Sequence, residues 1–185
     1  IKKAEQWILD HQEADGSWGG IQPPWVYSLL ALHELGYTSD HPVMQKGIEG
    51  FHSFSIEEDD KLRVQACVSP LWDTCLTMIA LLDAGLDPEH PALSTAGAWL
   101  VDEQILTGGD WQVKAKNVSP GGWAFEFHND TYPDLDDSSE IVMALDRVRL
   151  SSETEKAQAI ERAVQWLLGM QSSNGGWAAF DKNNT

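Results

Sequence analysis

Three carboxylates, Asp134, Asp136 and Asp137, crowd into four positions of the stretch YPDLDDSSEIVMAL. Trp123, Phe125, Phe127 and Tyr132 stand just upstream, and the apolar run Ile141-Val142-Met143-Ala144-Leu145 follows. Carboxylates seek water, whereas rings and aliphatic runs exclude it. Adjacent carboxylates in a poorly solvated site cannot all ionise, so one keeps its proton at neutral pH. Hydrogen bonds to its carbonyl side and a charge partner would make that proton easy to donate. Delivered to an alkene, the proton creates a carbocation, which water would destroy and ring faces stabilise. The cluster then titrates as one unit.

Other uses of the same residues are open to test. One Asp, or Ser138, is expected to cap a helix that begins near Ser139, with Glu140 favouring its first turn. A cap accounts for one carboxylate, not three. An EF-hand loop starting at Asp134 needs Gly at its sixth position and Glu at its twelfth, and the chain has Ser139 and Leu145 there. A magnesium–diphosphate site lacks an accompanying basic cluster or phosphate-cradling glycine loop. Two carboxyls flanking a sugar are poorly matched by so tight a cluster. Catalysis, solvated capping and metal binding all stay open on the residues alone.

The elements that must hold this cluster are periodic. Trp7, Gln12 and Gly16-Ser17-Trp18 form one set, Trp99, Gln104 and Gly109-Asp110-Trp111 a second, and Trp166, Gln171 and Gly175-Gly176-Trp177 a third. The Trp-to-Gln step is five each time, and the Trp-to-Trp steps are eleven, twelve and eleven. A helical pattern precedes each set; Ile160, Ala163, Val164 and Leu167 fall at i, i+3, i+4 and i+7. Gly-x-Trp then punctuates the helix end. A second, more apolar helix is predicted at 26–36, 75–86 and 138–150, while GIEGFHSFSIEEDD (47–60) carries no Trp. Alternating amphipathic and apolar helices bury the apolar set inside. The fold class is therefore all-α, built of α/α hairpin repeats that would close into an (α/α) toroid or barrel. WAFEF (123–127) is the best strand candidate. The periodic Trp and Gln residues read as structural, each Gln amide bonding backbone groups at a helix end.

Net charge is −17 over 185 residues, which repels phosphate backbones and argues against nucleic-acid binding. The run Glu57-Glu58-Asp59-Asp60 reads as a solvated loop. Cys67 and Cys75 fit free thiols in a reducing compartment and lack zinc-site spacing. No apolar run approaches the roughly 18 residues of a transmembrane helix. No signal-peptide order opens the chain, and its patterned ends suggest a segment of a longer protein.

The Trp-x4-Gln…Gly-x-Trp repeats resemble the QW motifs of triterpene cyclases. IQPPW (21–25), VSPLWDT (68–74), GGWAFEF (121–127), YPDLDD (132–137) and QSSNGGWAAFD (171–181) are similar, in order, to segments of the squalene–hopene cyclase family. The likeness covers essentially the whole chain.

That resemblance implies two side-by-side α/α toroid domains: 1–67 the end of one, 68–78 a junction, and 79–185 the first part of the second, which carries the Asp-x-Asp-Asp motif. It implies that Asp136 is the general acid that protonates a terminal double bond of squalene, with Asp134 and Asp137 tuning it. Trp72, Phe125, Phe180 and Tyr27 would be cavity or cation-stabilising rings. Gln22 and Pro23 would stand at the far end, where a water ends the cascade, and Asp73 would join the network behind the acid. By resemblance the product is hopene or hopanol, and the enzyme uses no metal or organic cofactor. It would sit as a peripheral, monotopic homodimer on the cytoplasmic face of the bacterial inner membrane. By the same resemblance the His partner of the acid lies beyond Thr185, and the chain alone is expected to be inactive because half of the cavity wall is missing.

Oxidosqualene cyclases, which protonate an epoxide, usually carry a single Asp in this place. An unactivated alkene needs the stronger acid, which favours squalene. Other Asp-x-Asp-Asp cyclases, of diterpene or tetrahymanol type, and a non-catalytic helical-repeat interaction module are the alternatives. Two departures stand out: Phe180 where members often carry Tyr, and Ser138-Ser139 in place of the commoner Thr-Ala.

Overall fold

The computed structural model describes residues 1–184, and the chain divides into two compact units, one over 1–69 and one from Pro70 onward. The first holds α1 (Lys2–Asp10), α2 (Gln22–Glu34), α3 (Pro42–His52) and the hairpin β1 (Ser55–Glu58) and β2 (Lys61–Val64). The second holds α4 (Pro70–Asp83), α5 (Pro91–Asp102), a short 3-10 turn (Asp110–Val113), α6 (Leu135–Arg147) and α7 (Glu153–Gly169). The chain is mostly helical, in α/α hairpins. The apolar helices expected at 26–36, 75–86 and 138–150 are α2, α4 and α6, each beginning three to five residues earlier.

The helix ends follow from local chemistry. Helices α3 and α5 both open on His-Pro: Pro42 and Pro91 preset the first turn, while His41 and His90 accept the N–H of Val43 and Ala92. Helices α2 and α4 both stop at a glycine in the left-handed region, Gly36 (φ 95°) and Gly85 (φ 92°). There Tyr37 N–H donates to Leu32 O and Leu86 N–H to Leu81 O, the bonds of a Schellman stop.

In the first unit the core is Trp18, Trp25, Leu32, Val43, Met44 and Phe54. Trp25 meets Phe51 and Phe54 edge-on at 5.6 and 5.1 Å, and its indole donates to Gly47 O at 2.9 Å. The acidic run at 57–60, read from sequence as a loop, instead belongs to an antiparallel hairpin. Glu57 pairs with Leu62 and Glu58 with Lys61, around a two-residue turn at Asp59 (φ 54°). Its charges are solvated, but cross-strand pairing of Glu58 with Lys61 and a 2.6 Å Arg63–Glu58 contact offset the low strand propensity of Glu. WAFEF forms no strand; only Trp123 pairs, in a single bridge with Asp134.

In the second unit α4 packs on α6, and α6 on α7. The core is Leu71, Cys75, Met78, Leu93, Leu100, Trp123, Ile141, Ala144, Leu145, Val148 and Ala163. A smaller cluster gathers Trp111, Ala115, Leu135, Trp166 and Met170 under the start of α6.

The tryptophan repeats have one bonding rule. Gln12 and Gln171 each donate to the carbonyl of a glycine four residues on, Gly16 at 3.2 Å and Gly175 at 2.8 Å. The closing indoles return to the preceding helix: Trp18 donates to Ile8 O and Trp177 to Leu167 O, both at 2.8 Å. The middle repeat obeys the same rule with a different tryptophan from the one its spacing suggests. Gln104 donates to Gly121 O at 2.8 Å, and Trp123 donates to Leu100 O at 2.6 Å. Ile8, Leu100 and Leu167 each directly follow the first Trp of their repeat, so Gly121-Gly122-Trp123 closes the middle one. Trp111 instead packs edge-on against Trp166 at 5.9 Å, with its indole N–H unpartnered among the described residues. An insertion between Gln104 and Gly121 had hidden this from a count of spacings.

Candidate active site

The acid cluster sits at the start of α6. Asp134 is the N-cap, in extended conformation, and its carboxylate accepts the Asp137 N–H at 2.7 Å. The helix thus begins at Leu135, ahead of the start near Ser139 expected from sequence. Leu135 N–H, which has no partner inside the helix, donates to Ala179 O at 2.8 Å. The turn after α7 therefore helps close the N-terminus of the acid-bearing helix.

One cap explains one carboxylate, and burial explains the second. Asp134 and Asp137 are 3% and 2% exposed, whereas Asp136 between them is exposed. Burial first, then the neighbouring charges of Asp134 and Asp136, push Asp137 up to about 9. Burial also raises Asp134, against the opposing pull of the hydrogen bonds it accepts from Asp137. Asp134 Oδ2 and Asp137 Oδ1 are buried without another protein donor among the described residues. One proton held by Asp137 and donated to Asp134 resolves both the charge and the unmet bonds. The N–H groups of the helix start favour negative charge on the capping Asp134, so a proton held by the pair is favoured on Asp137.

The pair is walled by α4. Cys75 is fully buried, its thiol donating to Trp72 O at 3.2 Å. Burial and the nearby Asp137 and Glu140 push that thiol up to about 12, so it stays neutral. Nothing in the sequence marked Cys75 as a neighbour of the acids; only the packing of α4 on α6 brings it there.

The loop that precedes the acids is tied to them through its backbone. Asp134 N–H donates to Trp123 O at 3.0 Å, and Trp123 N–H donates to Ser138 Oγ at 2.9 Å. Gly122 is confined: a Cβ there would lie 2.8 Å from the Trp166 ring and 3.0 Å from Ser138 Oγ. Phe125, two residues after Trp123, is half-buried. Trp72 is half-buried and Asp73 exposed in the first turn of α4, and Asp73 lines a groove of about 320 Å³ with Thr77, Met78, Leu93 and Ala96. Phe180 is 41% exposed and lies 5.3 Å from Tyr132, two residues before the N-cap.

Gln22, Pro23 and Tyr27 belong to the other unit. Gln22 donates its amide to Gln65 O, so its side chain anchors the start of α2 to the strand exit. Pro23 is exposed beside it, and Tyr27 is 70% exposed on α2. Among the described residues no group of three or more His, Cys, Asp or Glu side chains is arranged to hold a metal ion. The three aspartates diverge, two inward and one outward, so they do not form a ligand set.

Comparison with known proteins matches residues 68–185 to the squalene-hopene cyclase C-terminal domain and residues 1–60 to the squalene-hopene cyclase N-terminal domain. The squalene–hopene cyclase of Alicyclobacillus acidocaldarius is 49% identical over 99% of this chain and 29% of its own length. The dammaradiene synthase of Dryopteris crassirhizoma is 47% identical over 100% of this chain and 27% of its own. The squalene–hopene cyclase of Bradyrhizobium diazoefficiens is 44% identical over 90% of this chain and 26% of its own. The chain thus spans under a third of the length of these relatives.

Proposed function

The chain belongs to the squalene–hopene cyclase family, and on that footing we propose that it is a stretch of a larger enzyme that protonates squalene and drives its cationic polycyclisation to hopene or hopanol. The observation that carries this reading is the arrangement at the start of α6: a buried Asp134–Asp137 pair, with Asp137 pushed up to about 9 by burial and neighbouring charge, and Asp136 exposed between them.

The chemistry assigns different work to the three acids. Asp136 is the general acid. Its proton adds to a terminal alkene carbon of squalene, and the π electrons of that double bond form the new C–H bond. The cation left on the neighbouring carbon is attacked by the next alkene, and each attack forms one C–C bond and moves the charge along the chain. Loss of a proton from the last cation gives hopene, an isomer of squalene; capture of water followed by proton loss gives hopanol. Asp134 and Asp137 set the field at Asp136.

Trp72, Phe125, Phe180 and Tyr27 are proposed to line the path of the cation, where ring faces stabilise positive charge without reacting as a base. Gln22 and Pro23 are proposed for the end of the path where water is held, and Asp73 for the hydrogen-bonded support of the acid. The family's closed toroids, peripheral membrane seating and homodimer are carried to the larger protein on the same footing. No helix among the described residues is long and apolar enough to cross a membrane.

Identity at 47% to a dammaradiene synthase supports a second product class from the same initiating acid. Both readings are tested together by incubating the full-length protein with squalene and separating the products by gas chromatography and mass spectrometry. Hopene or hopanol supports the first reading and dammaradiene the second. Conversion of a prenyl diphosphate without any product from squalene would exclude both.

A further inference from the structure

Resting on the cyclase reading above, we propose that Ser138 is a positioning residue: its buried hydroxyl locks the Asp134 backbone to Trp123 and so fixes the turn from which the acids project. Ser138 is 0% exposed. Its Oγ donates to Asp134 O at 2.6 Å and accepts the Trp123 N–H at 2.9 Å, while Asp134 N–H returns to Trp123 O at 3.0 Å. Two of these bonds join the segment at Trp123 to the start of α6, and the third ties the Ser138 hydroxyl to the N-cap carbonyl.

A serine in a helix commonly bonds the carbonyl four residues back, and Ser139 does so with Leu135 O at 2.6 Å. What separates Ser138 is its second partner. Trp123 N–H faces Asp134 O across a single bridge, but its hydrogen bond goes to Ser138 Oγ, and Trp123 is itself 0% exposed. The space beside the hydroxyl is filled by Gly122 and the Trp166 ring, which leaves little room for a water to replace it. Loss of the hydroxyl therefore removes the hydrogen-bond partner of a buried N–H and frees the Asp134 carbonyl from its shortest bond. Asp134 holds Asp137 through the 2.7 Å bond to its N–H, so a looser cap displaces the acid turn as a whole. A misplacement of about 1 Å at a reacting group lowers a rate by about 100-fold.

The test is a comparison of Ser138→Ala and Ser138→Thr in the full-length protein, with squalene as substrate and circular dichroism melting to verify folding. Ser138→Ala should lower kcat by about 10- to 100-fold with KM within about twofold, because substrate binding does not use the turn. Ser138→Thr, which keeps the hydroxyl, should stay within about threefold of the parent. Should Ser138→Ala fail to accumulate folded, Ser138→Cys takes its place, with a similar volume and a weak donor. An unchanged kcat in folded Ser138→Ala, or a Thr variant as impaired as the Ala variant, overturns the proposal.

A second readout does not need turnover. The protonated-carboxyl band of the buried pair is followed by infrared titration in the parent and in Ser138→Ala. Asp137 is faced by Asp134 and Asp136 from its own turn and by the Cys75 thiol from α4, beside which Glu140 also lies. Water entering a loosened turn should release the proton at lower pH; an identical titration overturns the proposal. A parent that makes no product from squalene sinks the functional reading alone, and the infrared result then decides for Ser138.

Discussion

Asp137 donates its backbone N–H to the Asp134 carboxylate at 2.7 Å, and the two side chains close on each other in a space that excludes water, while Asp136 between them is turned out. Helical geometry makes this division. The N-cap and the third helical residue face one another across the first turn, and the second residue points away from both.

Replacing Asp136 by Asn in the full-length protein should abolish product formation from squalene while leaving the fold intact. Its side chain is exposed, so the expected stability change is the loss of a favourable charge at a helix N-terminus, about 0.3–1 kcal/mol. Product analysis beside a thermal melt checks this. Undiminished hopene from the folded variant would remove Asp136 from the role of acid.

The buried pair makes stability depend on pH with a definite sign. Asp137 is raised in the folded state to about 9, so between about pH 4 and about pH 9 the native protein holds a proton that the unfolded chain has released. Stability is greatest at the acid end of that window and falls as pH rises, by at most ~1.4 kcal/mol per pH unit, and the dependence flattens above the folded value. Asp137→Asn, neutral at every pH, should flatten that slope. Urea unfolding across the window measures it, and equal slopes in parent and variant would rule out a shared proton.

The middle repeat supplies a direct contrast between two indoles. Trp123→Phe removes the donor to Leu100 O and should destabilise by about 2–4 kcal/mol, from the lost bond and the smaller ring. Trp111→Phe removes an indole N–H that has no partner among the described residues, and should destabilise less, by about 1–2 kcal/mol. Denaturant midpoints decide; a larger loss at Trp111 would contradict Trp123 as the closing residue.

The glutamines should grade in the same way. Gln104 is buried, donates to Gly121 O and Ala159 O, and accepts from Arg162 at 2.9 Å. Gln171 makes one exposed bond, to Gly175 O. Gln104→Ala should cost about 2–4 kcal/mol and Gln171→Ala about 1 kcal/mol or less. Equal losses would mean that burial of the Gln104 network adds nothing.

What could be read from the sequence was whatever is local. Helix class, the alternation of amphipathic and apolar helices and the capping role of an aspartate all follow from residues within one turn or two. The first and third tryptophan repeats also declare themselves, because Gln12 and Gln171 reach glycines only four residues away. Long-range bonds were not legible. Gln104 reaches Gly121 and Ala159 across an insertion, so spacing pointed to Trp111 instead of Trp123. The hairpin at 55–64 was missed because its strands are short, exposed and charged, and carry no buried alternating face. Within the acid cluster, composition predicted that one proton is held but not where. That depended on which carboxylates the fold buries. Ser138 was detectable in part, since it stands four residues after Asp134, but its bond to Trp123 is a tertiary fact.

Trp123 fastens its repeat with its indole and the acid turn with its backbone. Selection for a sturdier scaffold and selection for a sharper proton donor therefore fall on the same position and cannot be traded against each other there. On the proposed cation path, lineages that diverge in product should drift at the half-buried Trp72 and Phe125 and the exposed Phe180, and keep this junction fixed. An engineer seeking new ring skeletons has the same freedom and the same boundary.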